Sequence, residues 1–561
     1  MTTPNSIPLC TIPLTIAVAG DHGIDHGYEP EIAWCIREKL QELGAGNADR
    51  VTPLRCLSSL SNAADMLFAE EALGLGLEVV AVLAAPPEIL AECLRLTEKT
   101  PHAAQESENR FLGLVAKCAD VVVLGETALP GTRHRNATVG RYLARHSHIL
   151  FALWDKGDDQ EEGSTGHIVS LFQNGYQPER RTGVFGSVLD CPEPQRIYHL
   201  LVKRHKDQPL RPNWWQPSDS PGAAEQALAR RRQALERFNQ QARLLASDDA
   251  TLLEHAAEAL SLTRLPEDQH VRRLLGVFAM ADTLAVTFRD RTWRTLNNVF
   301  LSAALMLVSF ALYSNIDAHP ALLGLYIFGF SLGCAALLRE RKAQGQNQFL
   351  DYRVLAEALR IQIFFRFAGL DATVGDQCLR KLKSEVAWIR DALRCLDSAP
   401  PATTVELEMV KRCWIDAQNA YYSSRSRKEK TIYVLMENGA KICLALGLVL
   451  AAFLFVATLR FPGRPPTHGL HQWILMSIGF LPALAAILSG YIYRRGLEAH
   501  TKESDRMQPL FQRAAERVAV MSLPRDAADF QEIVEELGLE ALAENVDWLM
   551  LHRGRPIPIP Q

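Results

Sequence analysis

The sequence predicts two architectures in one chain. A doubly wound parallel α/β sheet occupies the first third, and an all-α membrane half with four transmembrane helices in two hairpins follows. Three observations carry this. Short buried-strand patterns alternate with helical ones from residue 14 to residue 153. No Asp, Glu, Lys or Arg occurs over 295–316 or 318–338, and each run approaches the ~20 apolar residues that cross a bilayer core as a helix. Between those runs stand only Asp317, a His and a Pro, which suits a tight turn, and a second apolar hairpin recurs over 442–493.

The whole chain sets bounds on what it can be. Its 561 residues exceed one ordinary domain. A net charge of −4 speaks against nucleic acid as an obligate partner. Mean hydropathy near zero makes the membrane part a minority of the chain. Eleven cysteines are scattered with no Cys-x-x-Cys pair, which fits a reducing compartment and supports neither a disulfide framework nor a zinc site. Residues 8–20 are apolar and Ala17-Val18-Ala19 resembles a cleavage site. No positive region precedes them, and Pro13 and Thr15 break the run, so a buried first strand is expected.

That strand, residues 14–20, ends in Gly20-Asp21-His22-Gly23, and helical spacing follows through Ile32, Ile36 and Leu40 to a stop at Gly44 and Gly46. A second unit begins near residues 51–60, with a helix over 63–73, then Gly74 and Gly76 and a strand over 77–83. Further buried strands are read at 121–124 and 149–153. In such sheets ligands sit beyond the carboxyl ends of the strands, at helix N-termini. The stretches to inspect are therefore Gly20-Asp21-His22, the run Ser58-Ser59-Leu60-Ser61-Asn62 with Asp65, and the loop after Trp154-Asp155. That loop closes on Gly163-Ser164-Thr165-Gly166, which offers backbone N–H groups and hydroxyls to a phosphate as a helix begins. Each loop taken alone is also what ordinary turns and N-caps look like.

Three phrases in order, LSSLSNAADMLFAEEALGLGLEVVAVLAAP, VGRYLARHSHILFALWDKGDDQEEGSTGHIV and RIYHLLVKR, resemble the SLOG family. This is a Rossmann-like superfamily related to the Lonely Guy phosphoribohydrolases and the DNA-processing protein A fold. The resemblance covers residues 10–206. It implies a sensor of a nucleotide-derived ligand attached to a membrane effector, in the setting of bacterial conflict systems, with no other cofactor and no metal. The hydrolases carry a catalytic glutamate three residues after a Gly-Thr pair. Here Thr165 is followed by Gly166-His167-Ile168, so Ile168 or a neighbour stands where the acid/base group is expected. The resemblance therefore implies binding more than turnover. An enzymatic alternative, a membrane-anchored nucleotide N-glycosidase, needs Asp65, Asp155 or Glu126 to stand in, and a non-catalytic scaffold is the plainest alternative.

Composition divides the remainder into a Pro-rich linker at 207–222, helices at 223–294, a first hairpin at 295–342, a helical segment at 343–440, a second hairpin at 441–495 and C-terminal helices at 496–561. Residues 208–222 hold four prolines and the pair Trp214-Trp215. Pro221 opens a helix bearing Arg230-Arg231-Arg232, and helical periodicity runs on over 253–288. Arg353, Glu357 and Arg360 share one helical face at i, i+4 and i+7, and are expected to form a structural ion-pair network. Arg289, Arg291 and Arg294 precede the first span, Arg339, Arg341 and Lys342 follow the second, and Arg494 and Arg495 follow the fourth. The turns between paired spans offer only Arg460 and Arg464. The positive-inside rule then predicts a multi-pass protein of the inner (cytoplasmic) membrane with both termini cytoplasmic. Gly329 with Gly333, Gly447 with Ala451 and Ala486 with Gly490 recur at a spacing of four, serving either packing within one bundle or homo-oligomer assembly. Pro482 should bend the fourth span.

Overall fold

A computed structural model describes residues 7–20, 28–45, 51–97, 100–125, 132–154, 161–174, 196–201, 221–246, 248–377, 386–397, 405–460 and 468–555. The chain forms two compact units. One comprises Met1–Met280 with Ala358–Val405, the other Ala281–Glu357 with Glu406–Gln561.

The first unit is built on β1 (Leu14–Gly20), α1 (Glu29–Glu42), β2 (Leu54–Ser58), α2 (Ala63–Gly74), β3 (Glu78–Leu83), α3 (Pro87–Thr97), α4 (Pro101–Val115), β4 (Asp120–Val123), α5 (Thr132–His146), β5 (Ile149–Trp154), α6 (Thr165–Asn174) and β6 (Arg196–Leu201). All six strands pair in parallel, in the order β4-β3-β2-β1-β5-β6. Every residue of β1 and β2 is buried, as a parallel sheet covered on both faces requires. Ile32, Ile36 and Leu40 of α1 are fully buried, and Gly44 takes φ 104° just beyond the helix, where a side chain would be strained. The strand β6 went unread in sequence, although it lies in the third family-like phrase. It pairs with β5 from Ile149↔Arg196 to Trp154↔Leu201.

Helices from later in the chain belong to this unit as well: α7 (Pro221–Leu245), α8 (Asp249–Ala259), the start of α9 (Gln269–Asn315) and, from Ala358–Val405, α12 (Val374–Gln377) and α13 (Ala387–Leu396). The helical periodicity read over 253–288 is divided between α8 and α9. Ser261 takes φ 54°, and Pro266 lies in the connection, where it can neither donate to nor continue a helix. Asn239 of α7 binds α7 to the sheet. Its Oδ1 accepts the Ile12 amide at 2.9 Å, and its Nδ2 donates to the Ile12 carbonyl at 2.9 Å and the Thr52 hydroxyl at 3.1 Å. Ion pairs hold α12 and α13: Arg231–Asp391 at 3.0 Å, Arg394–Asp376 at 2.7 Å and, from α5 to α12, Arg145–Asp376 at 2.7 Å. Asp391 and Arg394 are buried and their partners half-buried, so losing one charge of either pair leaves the other poorly compensated.

The second unit is helical. It holds the rest of α9, α10 (Pro320–Ala343), the first part of α11 (Gly345–Phe367), α14 (Leu407–Val410), a π-helical turn at Lys411–Asp416, α15 (Ala417–Arg460), α16 (His468–Arg495), α17 (Leu497–Val518) and α18 (Ala527–Arg553). Four helices are long and apolar enough to cross a membrane, in the places the sequence predicts. The tight turn is residues 316–319, and His319 caps α10 by accepting the Ala321 amide. With 47 and 44 residues, α9 and α15 extend about 65–70 Å at ~1.5 Å per residue, so each continues far beyond a ~30 Å hydrocarbon core.

Small residues serve close packing inside this bundle. A Cβ on Gly329 would stand 3.1 Å from Met306 Cγ and 3.4 Å from the Ser302 carbonyl, and Gly333 faces Ser302. A Cβ on Gly447 would stand 3.1 Å from the Pro482 ring, and one on Gly490 3.4 Å from the Phe300 ring. Of the two uses that spacing of four allows, these glycines are engaged in packing within the chain.

Candidate functional site

The sheet order makes β1 the strand from which the fold winds in two directions, through β2 to β4 on one side and through β5 to β6 on the other. The topological switch point therefore lies between the carboxyl ends of β1 and β5, where Gly20 and Trp154 stand. The ends of β2 and the starts of α2 and α6 complete this edge.

Gly20 is gripped through both of its backbone groups. Its N–H donates to Asp65 Oδ1 at 2.9 Å, and its carbonyl accepts from Asn62 Nδ2 at 2.9 Å and from the Thr165 hydroxyl at 2.8 Å. Nothing larger than glycine fits, because a Cβ there would lie 2.3 Å from Ala64 Cβ. Asp65 is buried, and its second oxygen accepts from the Ser59 hydroxyl, from the Ser61 hydroxyl at 3.0 Å and from Asn62 Nδ2 at 3.2 Å. Asn62 also caps α2 by accepting the Asp65 amide at 2.9 Å. Ser58 donates its hydroxyl to the Asp65 carbonyl at 3.0 Å. Between these serines Leu60 takes φ 52°, a conformation a branched side chain resists, and its fully buried side chain holds it there.

Two helix N-termini thus meet this edge, and their electrostatics differ. The positive end of α2 is already compensated by Asp65 in its first turn. The first turn of α6 holds no acidic residue. Gly163 takes φ 88°, and Ser164 caps the His167 amide at 3.1 Å, leaving half-buried Gly163, Ser164 and Thr165 along the edge with Gly166 buried behind them. An anion entering the crevice is favoured at α6 rather than α2.

The structure therefore brings together Gly20, Ser58, Ser59, Asn62, Asp65, Thr165 and, beside them, Gly163, Ser164, Gly166 and Trp154. Asp21, His22, Asp155 and Glu126 lie outside the described residues. Two participants went unread. Ser61 stands within the run read in sequence but had no role there, and only its bond to Asp65 supplies one. His199 of β6 donates from Nε2 to the Trp154 carbonyl at 2.7 Å, with its ring 5.8 Å from the indole. Its one sequence signal is a polar residue inside an apolar strand.

Ile168 is buried in the apolar cluster beneath α5 and α6, and a Cβ on Gly140 would stand 2.6 Å from its Cγ1. The position at which the sequence resemblance expects the glutamate is thus filled by core packing. Asp65, the alternative acid, has both oxygens engaged by donors of the protein itself, which suits an architectural role and leaves little capacity for proton transfer to a substrate.

A second constellation lies at the opposite, amino edge of the sheet. Cys395 Sγ is 3.3 Å from His148 Nδ1, and Asp391 is close by. These are residue types of a nucleophilic triad, but their chemistry is opposed to it. The Thr15 amide donates to His148 Nδ1 at 3.0 Å. Burial pushes the Cys395 thiol up to about 12, and burial also lowers His148. A protonated thiol beside a ring nitrogen already engaged is a packing contact. Burial pushes Asp391 up, but Arg390 and Arg231, with His148 and Arg394, outweigh it and hold the carboxyl at about 2.

The predicted Arg353, Glu357 and Arg360 face is divided between the units. In the second, Arg353 pairs with Glu357 at 3.6 Å and stacks over Trp548 at 4.8 Å. In the first, Arg360 lies over Phe278 at 5.8 Å. Among the described residues no group of three or more His, Cys, Asp or Glu side chains is placed to hold a metal ion.

Fold and site together define a class: a six-stranded parallel α/β unit joined in one chain to a helical unit with four helices long and apolar enough to span a membrane. No family model, no curated protein and no solved structure matches this chain.

Proposed function

We propose that this is a membrane protein in which the crevice at the carboxyl ends of β1 and β5 binds a nucleotide-derived ligand, and that binding controls the four-span unit. The observation that carries the reading is the Gly20 peptide, fixed by Asp65, Asn62 and Thr165 against the start of α6. This fixes the end of β1 beside a helix N-terminus with no carboxylate in its first turn, and such an N-terminus at a topological switch point suits a phosphate-bearing ligand. The likeness to SLOG sensors supports a nucleotide derivative as that ligand. Spans without an acidic or basic residue in their apolar cores favour a response by rearrangement over ion-coupled transport. The chain also offers routes for the signal. It passes between the units three times, and Ala358–Val405, lying between the two hairpins in sequence, belongs to the unit that holds the crevice.

The test is equilibrium binding to the purified full chain with a panel of cyclic nucleotides, ADP-ribose and cyclic ADP-ribose isomers. At least one member is expected to bind, with affinity falling about tenfold or more in Thr165→Ala, where a hydroxyl of the crevice is removed. Silence across the panel refutes the reading. Release of ribose 5-phosphate from a nucleoside monophosphate would instead establish the N-glycosidase alternative.

A further inference from the structure

The apolar stretches of α9 and α16 meet along a ladder of side chains that ends in a cluster of arginines on aromatic rings. Phe300 meets Gly490, and its ring sits edge-on to Tyr491 at 5.3 Å. One turn nearer the end of the apolar stretch, the Tyr491 hydroxyl donates to Asn297 Oδ1 at 3.0 Å. One turn further, the Arg495 guanidinium lies 4.0 Å over the Trp293 ring. Arg289, four residues before Trp293 on the same helix, lies 5.2 Å from that same indole. Two guanidiniums are thus held on one ring, at the level where the apolar stretches of both helices end. One carboxylate, Asp290, pairs with Arg289 Nε at 3.0 Å.

Stacking takes up the flat faces of a guanidinium and leaves its in-plane N–H groups free in direction. Two such cations on one ring repel each other, and an anion with several oxygens relieves that repulsion while accepting hydrogen bonds from both. A single carboxylate engages one of the two. The level matters too. Trp293 and Tyr491 are the residue types that settle among lipid headgroups, and anionic headgroups present a phosphodiester at that depth.

We infer that Arg289 and Arg495, pre-stacked on Trp293, form a site for the phosphate of an anionic phospholipid at the α9–α16 junction, so that such a lipid tethers the first span to the fourth. This rests on the reading that the four helices cross a membrane, which is checked separately: recovery of the chain in the soluble fraction without detergent would remove that premise.

The experiment uses the full chain in neutral detergent, with thermal melting followed during titration by phosphatidylglycerol, phosphatidylcholine or inorganic phosphate. Phosphatidylglycerol is expected to raise the melting temperature by a few degrees, about 2–4 °C for a chain of this size. Phosphatidylcholine and inorganic phosphate at equal concentration should leave it unchanged. In Arg289→Gln with Arg495→Gln the half-saturating lipid concentration should rise about tenfold or more. The charge-matched pair Arg339→Gln with Arg341→Gln, at the end of α10, should respond as the native chain does. Arg289→Lys with Arg495→Lys keeps the charge and loses the planar fork, and should show an intermediate loss. An equal loss in the α10 pair would reduce the effect to general surface charge and overturn the site. An equal shift with inorganic phosphate would overturn the lipid as its occupant, and no shift with phosphatidylglycerol overturns the proposal.

Discussion

Replacing Asp65 tests the architecture of the crevice most directly. Four donors converge on its carboxylate: the Gly20 amide at 2.9 Å, the Ser59 hydroxyl, the Ser61 hydroxyl at 3.0 Å and Asn62 Nδ2 at 3.2 Å. In Asp65→Ala they fare differently. The two hydroxyls are already 2.8 Å apart and can bond each other, and Asn62 keeps the Gly20 carbonyl. The buried Gly20 amide loses its acceptor, and a stranded buried donor costs ~1–3 kcal/mol. Adding the lost charge-assisted bonds gives a local destabilisation of about 3 kcal/mol. Hydrogen exchange measured by mass spectrometry on the full chain should then show protection at the end of β1 and the start of α2 falling by about a hundredfold. Asp65→Asn should cost about 1 kcal/mol, because its carbonyl still accepts the Gly20 amide and only Asn62 Nδ2 meets a donor. Exchange in Asp65→Ala within about twofold of native, or an Asn variant as damaged as the Ala variant, would refute the assignment.

Other outcomes follow from the same geometry. Gly20→Ala places a methyl 2.3 Å from Ala64 Cβ, so α2 must shift, at ~1–3 kcal/mol, read as a lower melting temperature of the purified chain. Cys395, its thiol pushed up to about 12 by burial, should resist iodoacetamide at mildly alkaline pH in the native chain and label once urea unfolds it, as peptide mass spectrometry would show. Asp391 is held at about 2, below its ordinary 3.8, so its contribution is present above about pH 4 and is lost as pH falls towards 2. That contribution is about 2 kcal/mol, and Asp391→Asn should flatten acid destabilisation over this window in melts recorded against pH. Gly329→Leu should lower the stability of the purified protein because Met306 Cγ stands 3.1 Å from the new Cβ. Gly324→Leu, with nothing within 4 Å, should not.

The sequence by itself determined the features that repeat locally. Twenty uncharged apolar residues have one solution in a bilayer, so the four long apolar helices were legible from composition and length. Ile32, Ile36 and Leu40 announced the buried face of α1, and Asn62 with Asp65 announced the start of α2, because periodicity and capping act over one turn. What only the tertiary structure decided are relations between residues far apart in the chain. Thr165 reaches the Gly20 carbonyl across 145 positions, and Asp65 reaches the Gly20 amide across 45. Neither has a local signature, because any hydroxyl at a helix start and any acid in a first turn reads the same in sequence. Composition also placed a boundary near residue 206. Tertiary packing puts α7, α8 and Ala358–Val405 in the same compact unit as the sheet, with Asn239 of α7 bonded to the Ile12 carbonyl, Arg231 of α7 paired with Asp391 of α13, and Arg394 of α13 paired with Asp376 of α12. The physical reason is common to all of these. Hydrophobic patterning reports whether a residue is buried, whereas the identity of its partner depends on strand order and long-range docking, which no period along the chain encodes.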